Sequence, residues 1–195
     1  MNIPNILTVS RLALAILMMA LLSLGYPFTK TLALLVFIIA GITDYLDGHL
    51  ARTRYGITAF GRLMDPLTDK VLVCAAFVAF VELKLVPAWI VVIIISREFL
   101  VTGLRLLAAS RGEVLQAGRW GKHKTVWQIV AISALLLGLA VRHDLLRAAS
   151  ATVQENYDFA FHWIALGVSI AVAAVTLASG WMYFMEHREL IQHNR

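Results

Sequence analysis

Four aspartates at regular spacing are the residues of this sequence best suited to chemistry. Asp44 and Asp47 are three positions apart, and Asp65 and Asp69 are four positions apart. On an α-helix such residues share a face, so each pair would present two carboxylates side by side. Carboxylates brought this close ionise together only around a cation, and oxygen ligands suit hard cations such as Mg²⁺ or Mn²⁺. The spacing therefore predicts a metal site between two helices.

Small residues accompany the aspartates on the same helix faces. Gly48 and Ala51 each follow an aspartate of the first pair by one turn, and Gly61 precedes the second pair by one turn. Arg52 follows Gly48 by one turn. A face of small residues leaves room for a ligand to approach the backbone. Ion pairs, caps or a proton relay would explain a single buried aspartate, but four on two stripes favour a ligand site.

The elements that carry these residues are predicted to be membrane helices. The chain is 60% hydrophobic with a mean hydropathy of +0.78, whereas a soluble domain is about 45–50% apolar. Apolar stretches near the length needed to cross a bilayer lie at 6–24, 29–52, 62–83, 88–109, 125–141 and 159–185. We expect an all-α polytopic membrane protein, a six-transmembrane-helix bundle forming one domain over 1–195. Segment 142–158 is predicted to be a short surface helix plus a loop, and no cleavable signal peptide is expected.

The distribution of lysine and arginine predicts the orientation. Connections on the side of the two termini hold eight of them, against four on the other side. The excess places both termini and the aspartates in the cytoplasm, as in a multi-pass protein of a bacterial inner membrane. The eight are Arg52, Arg54, Arg62, Arg105, Arg111, Arg119, Lys122 and Lys124, and the four are Lys30, Lys84, Arg142 and Arg147.

The order Asp-x2-Asp-Gly-x2-Ala-Arg-x8-Gly-x3-Asp-x3-Asp, complete over 44–69, resembles the signature of the CDP-alcohol phosphatidyltransferases. The resemblance extends over nearly the whole chain. Three further segments are similar to the phosphatidylglycerophosphate synthase branch of that family. They are the opening Pro4-Asn5-Ile6-Leu7-Thr8-Val9-Ser10-Arg11, the pattern Ser96-Arg97-Glu98 with Gly103-Leu104-Arg105, and Trp120-Gly121-Lys122-His123-Lys124-Thr125 with Gln128.

This resemblance implies a six-helix membrane bundle, commonly homodimeric, with a binuclear Mg²⁺ or Mn²⁺ site open to the cytosol. The implied reaction transfers a phosphatidyl group from CDP-diacylglycerol to sn-glycerol 3-phosphate and releases CMP. Asp44, Asp47, Asp65 and Asp69 would hold the metals, and Asp69 would also be the general base. The substrate-binding residues would be Asn5, Thr8, Arg11, Gly48, Ala51, Arg52, Gly61, Arg97, Arg105, Lys122 and Lys124. Of these, Arg97, Arg105, Lys122 and Lys124 would surround the acceptor phosphate.

Several alternatives remain open at this point. The acceptor could be serine, an inositol phosphate or a second phosphatidylglycerol, and a cation-coupled transporter would also use membrane carboxylates. Arg11 could snorkel to the interface, Arg97 and Glu98 could only pair with other helices, and Arg105 and Lys124 could only anchor helix ends to lipid headgroups.

Other kinds of site find little support in the sequence. The histidines lack zinc-site spacing, the glycines near Lys122 lack full phosphate-loop spacing, and nucleic-acid binding has only the basic charge in its favour. The aromatic residues near span ends are interpreted as an interfacial belt in contact with lipid headgroups. They are Tyr26, Phe28, Trp89, Trp120, Trp181 and Tyr183.

Overall fold

The computed structural model describes the backbone of residues 3–50, 59–110 and 119–186, and the side chains of residues 10–43, 70–109 and 124–186. Every regular element within these ranges is helical, which confirms the all-α prediction. The main helices are α1 (Ile3–Ser23), α2 (Thr29–Leu50), α3 (Ala59–Glu82), α4 (Ala88–Ser110), α5 (Arg119–Ala140) and α6 (Ala151–Glu186). Each predicted apolar stretch coincides with one of them.

The connection between α5 and α6 is shorter and more helical than the sequence predicted. A π-helical turn (Val141–Leu145) and a 3-10 turn (Leu146–Ala148) continue α5, and α6 already begins at Ala151. The predicted surface helix and loop over 142–158 is therefore wrong in its second half. Contacts across the connection explain the early start of α6: the Tyr157 hydroxyl donates to the Gly138 carbonyl at 2.9 Å, and Arg142 donates to Asp158 at 2.5 and 2.8 Å.

The six helices form a closed ring of neighbours. α1 packs against α2 and α3, α2 against α5, α5 against α6, α6 against α4, and α4 against α3, while α3 also contacts α5 across the ring. Large apolar side chains fill the interior, among them Met18, Leu22, Phe77, Phe80 and Ile132. The two helices that carry the aspartates are thus both neighbours of α1.

The polarity of the bundle is that of a protein surrounded by lipid. Charged and polar side chains such as Arg11, Glu98 and Lys124 are buried, whereas large apolar side chains cover the exterior. Exposed examples are Ile16, Leu17, Ile38, Ile39, Val92, Leu100, Trp127, Val130, Trp163 and Ile164. Among the described residues, Lys124–Ala148 and Ala151–Glu186 are long and apolar enough to cross a bilayer, and Ser10–Ser23 and Thr29–Thr43 are shorter apolar stretches. The count of six spans stays a prediction.

Side-chain contacts identify which helix ends lie together. Asp144, just beyond α5, accepts hydrogen bonds from the backbone N–H groups of Phe28 (2.8 Å) and Thr31 (3.0 Å) at the start of α2. At the other end of the bundle, the Nε of Arg105 in α4 donates to the hydroxyl of Tyr183 in α6 at 3.3 Å. Successive helices joined by short turns run antiparallel, so the end of α2 and the starts of α1, α3 and α5 share this second end. We call it the motif end.

Candidate functional site

The predicted metal ligands lie in α2 and α3 near the motif end. Asp44 and Asp47 fall in the last two turns of α2, and Asp65 and Asp69 in the first three turns of α3. Both pairs therefore have the helical backbone that the spacing argument requires. Their side chains lie outside the described residues, as do those of Asn5, Thr8 and Lys122. Only the backbone of Gly48 and Gly61 is described, and Ala51 and Arg52 lie wholly outside the described residues. The four-carboxylate site stays a prediction, and its oxygen donor set fits a hard divalent cation.

Directly beyond the aspartates, a buried polar cluster joins three helices. Its centre is Glu98, midway along α4 and 5% exposed. From α5, the ammonium of Lys124 and the side-chain amide of Gln128 both donate to Oε1 of Glu98, the amide at 3.4 Å. From α3, the Nζ of Lys70 donates to the main-chain carbonyl of Glu98 at 3.3 Å. Since Lys70 follows Asp69 in the chain, this cluster begins one residue from the predicted general base.

Two arginines of α4 extend the cluster towards α6. The Nη2 of Arg97 donates to the Ser179 hydroxyl at 3.0 Å, and its Nη1 lies 3.6 Å from Oε1 of Glu98. The guanidinium of Arg105 lies 5.2 Å from the centre of the Tyr183 ring, which adds a cation–π contact to the hydrogen bond between them. Both arginines are thus held in fixed positions by the last turns of α6.

The charges of this cluster do not balance among the described residues. Arg97 and Lys124 share a single carboxylate, that of Glu98. The Nε of Arg97 is also buried without a hydrogen-bond partner among the described residues. Buried cations need a counter-charge, so the excess positive charge here favours an anionic ligand. A phosphate group suits it, because guanidinium and ammonium groups are its usual partners in proteins.

The structure also places Arg11, predicted to belong to a polar stripe on α1. Its side chain is 6% exposed. It therefore lies inside the bundle and does not snorkel to the interface. Because α1 packs against both aspartate-bearing helices, this burial agrees with a stripe directed towards the predicted site.

Sequence reasoning missed the part that α6 plays. Tyr183 was assigned to an interfacial aromatic belt, and this is wrong: Tyr183 is 6% exposed and holds Arg105, whereas Trp181 is 68% exposed. Ser179 was not singled out at all. A signal was present in the helical spacing of small and polar residues on α6, since Ser169, Thr176, Ser179 and Tyr183 all lie on its buried face.

The described side chains outside this cluster offer no comparable site. No group of three or more histidine, cysteine, aspartate or glutamate side chains converges among them. A cavity of about 170 Å³ lies at the opposite end of the bundle, lined in part by Lys30, Arg142 and Arg147. It contains none of the predicted site residues.

The fold and the apolar exterior define an all-helical membrane protein with a basic cluster inside the bundle. The model of the CDP-alcohol phosphatidyltransferase family matches residues 1–180, so the chain belongs to that family. The CDP-diacylglycerol–glycerol-3-phosphate 3-phosphatidyltransferase of Bacillus subtilis is 41% identical, over 98% of this chain and 97% of its own length. A protein of the same name from Cereibacter sphaeroides is 33% identical, over 94% of this chain and 94% of its own length. Another from Haemophilus influenzae is 40% identical, over 69% of this chain and 75% of its own length. Members of the family are generally metal-dependent.

Proposed function

We propose that this protein transfers the phosphatidyl group of CDP-diacylglycerol to sn-glycerol 3-phosphate. A hydroxyl oxygen of the acceptor bonds to the phosphorus that carries the diacylglycerol, and the bond from that phosphorus to CMP breaks. The products are phosphatidylglycerol phosphate and CMP. The similar proteins of that name, two of them aligned over nearly the full chain, support this assignment.

One observation in the structure carries the proposal: a buried cluster that contains Lys124 begins at the residue after Asp69. Lys70 follows Asp69 and donates to the carbonyl of Glu98, whose carboxylate binds Lys124. The cluster that contains Lys124, a candidate partner of the acceptor phosphate, therefore begins one residue along α3 from the candidate base. Such an arrangement suits an acceptor that must present a hydroxyl to a base while its own phosphate is neutralised nearby.

The roles of the residues follow from their chemistry. Asp69 would accept the proton of the attacking hydroxyl, and Arg97, Arg105 and Lys124, with Lys122, would bind the acceptor phosphate. Asn5, Thr8, Arg11 and Arg52 would hold the nucleotide end of the donor, with Gly48, Ala51 and Gly61 leaving room for it. Asp44, Asp47, Asp65 and Asp69 would hold two Mg²⁺ or Mn²⁺ ions, which supply charge neutralisation for the diphosphate when bound.

The proposal also implies an orientation of the bundle in the membrane. The motif end would face the cytoplasm of a bacterial cell, where a soluble acceptor and the nucleotide are found, while the acyl chains of the donor remain among the lipids. The excess of lysine and arginine on this side supports that orientation. The whole chain would act as one domain, and the family resemblance supports a homodimer.

Release of CMP by the purified protein in detergent or nanodiscs tests the proposal. We expect release from CDP-diacylglycerol with Mg²⁺ and glycerol 3-phosphate, and little with serine, inositol phosphate or phosphatidylglycerol as acceptor. Serine, which carries no phosphate, is the control for binding of the acceptor phosphate by the basic cluster. A clear preference for another acceptor would refute the assignment of glycerol 3-phosphate while leaving the transferase reaction intact.

A further inference from the structure

Glu98 has contacts that its assignment as a simple helix-pairing residue does not explain. Its carboxylate binds Lys124 and Gln128 of α5, and its main-chain carbonyl binds Lys70 of α3. The Thr102 hydroxyl donates to the same carbonyl at 2.7 Å. Glu98 of α4 therefore contacts side chains from both α3 and α5.

The electrostatics of the cluster explain why an acid is needed at this position. A lysine ammonium that is 4% exposed inside a membrane bundle is costly without a partner, and the carboxylate of Glu98 supplies one. The ammonium has three N–H groups, and Glu98 takes one of them. One carboxylate shared by two cations also leaves this group net positive, because Arg97 and Lys124 both lie against Oε1 of Glu98. Glu98 thus allows Lys124 to be buried as a cation without cancelling the charge that an anion needs.

We propose that Glu98 is a positioning residue for phosphatidyl transfer. Its carboxylate holds Lys124 in the orientation that binds the acceptor phosphate. This inference rests on the proposed function and deepens it, because the sequence assigned Glu98 no role in the reaction.

Glu98→Gln tests the inference with little change in side-chain shape. Without the carboxylate, Lys124 loses both its counter-charge and its fixed direction. We expect the KM for glycerol 3-phosphate to rise at least fivefold, while the KM for CDP-diacylglycerol changes less than twofold. Glu98→Asp keeps the carboxylate but shortens the side chain by one methylene, so we expect a KM for glycerol 3-phosphate between those of the wild type and Glu98→Gln. This variant also tests the inference if Glu98→Gln folds poorly. Asp158→Asn is the matched control, because it removes the acid of the Arg142–Asp158 ion pair at the opposite end of the bundle.

A double variant separates positioning from a purely structural role. If Glu98 acts through Lys124, then Glu98→Gln combined with Lys124→Gln should show the same KM for glycerol 3-phosphate as Lys124→Gln alone. The double variant should also have a higher melting temperature than Glu98→Gln, since it no longer buries an unpaired ammonium.

Two results would overturn the inference without touching the proposed function. One is a lower melting temperature for Glu98→Gln with both KM values unchanged, which would make the contact structural only. The other is an increase in the KM for glycerol 3-phosphate that, in the double variant, equals the product of the fold increases in the two single variants. The proposed function is judged separately, by whether the wild-type protein releases CMP with glycerol 3-phosphate.

Discussion

Gly180 on α6 provides a direct test of the position of Arg97. A Cβ added to Gly180 would lie 2.9 Å from Cγ and 3.4 Å from Nε of Arg97. Gly180→Ala must therefore displace Arg97 from the Ser179 hydroxyl, or push α6 away from α4. Gly167 is the matched control, because it lies on the same helix and a Cβ there meets nothing within 4 Å.

The magnitude follows from comparing the two alanine variants. Both gain the same helix propensity, about 1 kcal/mol relative to glycine, so this contribution cancels in the comparison. Overpacking remains, and it costs about 1–3 kcal/mol. We expect Gly180→Ala to be less stable than Gly167→Ala by about that amount. A charge-assisted hydrogen bond contributes about 1.5–3 kcal/mol, so displacing Arg97 should raise the KM for glycerol 3-phosphate about tenfold.

Thermal unfolding in detergent, followed by tryptophan fluorescence, and KM values for both substrates measure these effects. Equal melting temperatures and equal KM values for the two alanine variants would refute the placement of Arg97 against Gly180. A lower melting temperature for Gly180→Ala with an unchanged KM for glycerol 3-phosphate would retain the packing but remove Arg97 from the acceptor site.

Three further predictions concern the metal, the second arginine and the orientation. Asp65→Asn should abolish CMP release while leaving a folded protein, and EDTA should inactivate the wild type until Mg²⁺ or Mn²⁺ is restored; near-normal activity of the variant would exclude the two-metal assignment. Arg105→Ala should raise the KM for glycerol 3-phosphate about tenfold and Tyr183→Phe by less, since phenylalanine keeps the cation–π contact; equal increases in the KM of both substrates would indicate a lipid anchor. A reporter fused after Arg195 should read as cytoplasmic, and an external signal would contradict the orientation.

The amino-acid sequence by itself determined the helical class, the positions of the helices and the family. Long apolar stretches can satisfy their backbone hydrogen bonds in lipid only as helices or closed barrels, so the elements were predictable from composition. The aspartate motif is local: eight fixed positions within 44–69 carry it, and helical spacing alone puts each pair on one face. The bounds of α6 were less predictable, because the contacts of Tyr157 and Asp158 with α5 determine where it begins.

Only the tertiary structure decided the partners of the buried charges. Glu98, Lys124 and Tyr183 are widely separated in sequence, and no helical periodicity indicates that Glu98 faces Lys124 or that Tyr183 holds Arg105. The Arg105–Tyr183 pair forms because α4 packs against α6, and the Glu98–Lys124 pair joins α4 to α5 inside the ring of six helices, where each buried charge needs a partner. If Tyr183 lay on an outward face of α6, its side chain would contact lipid. It contacts an arginine because packing turned that face inward.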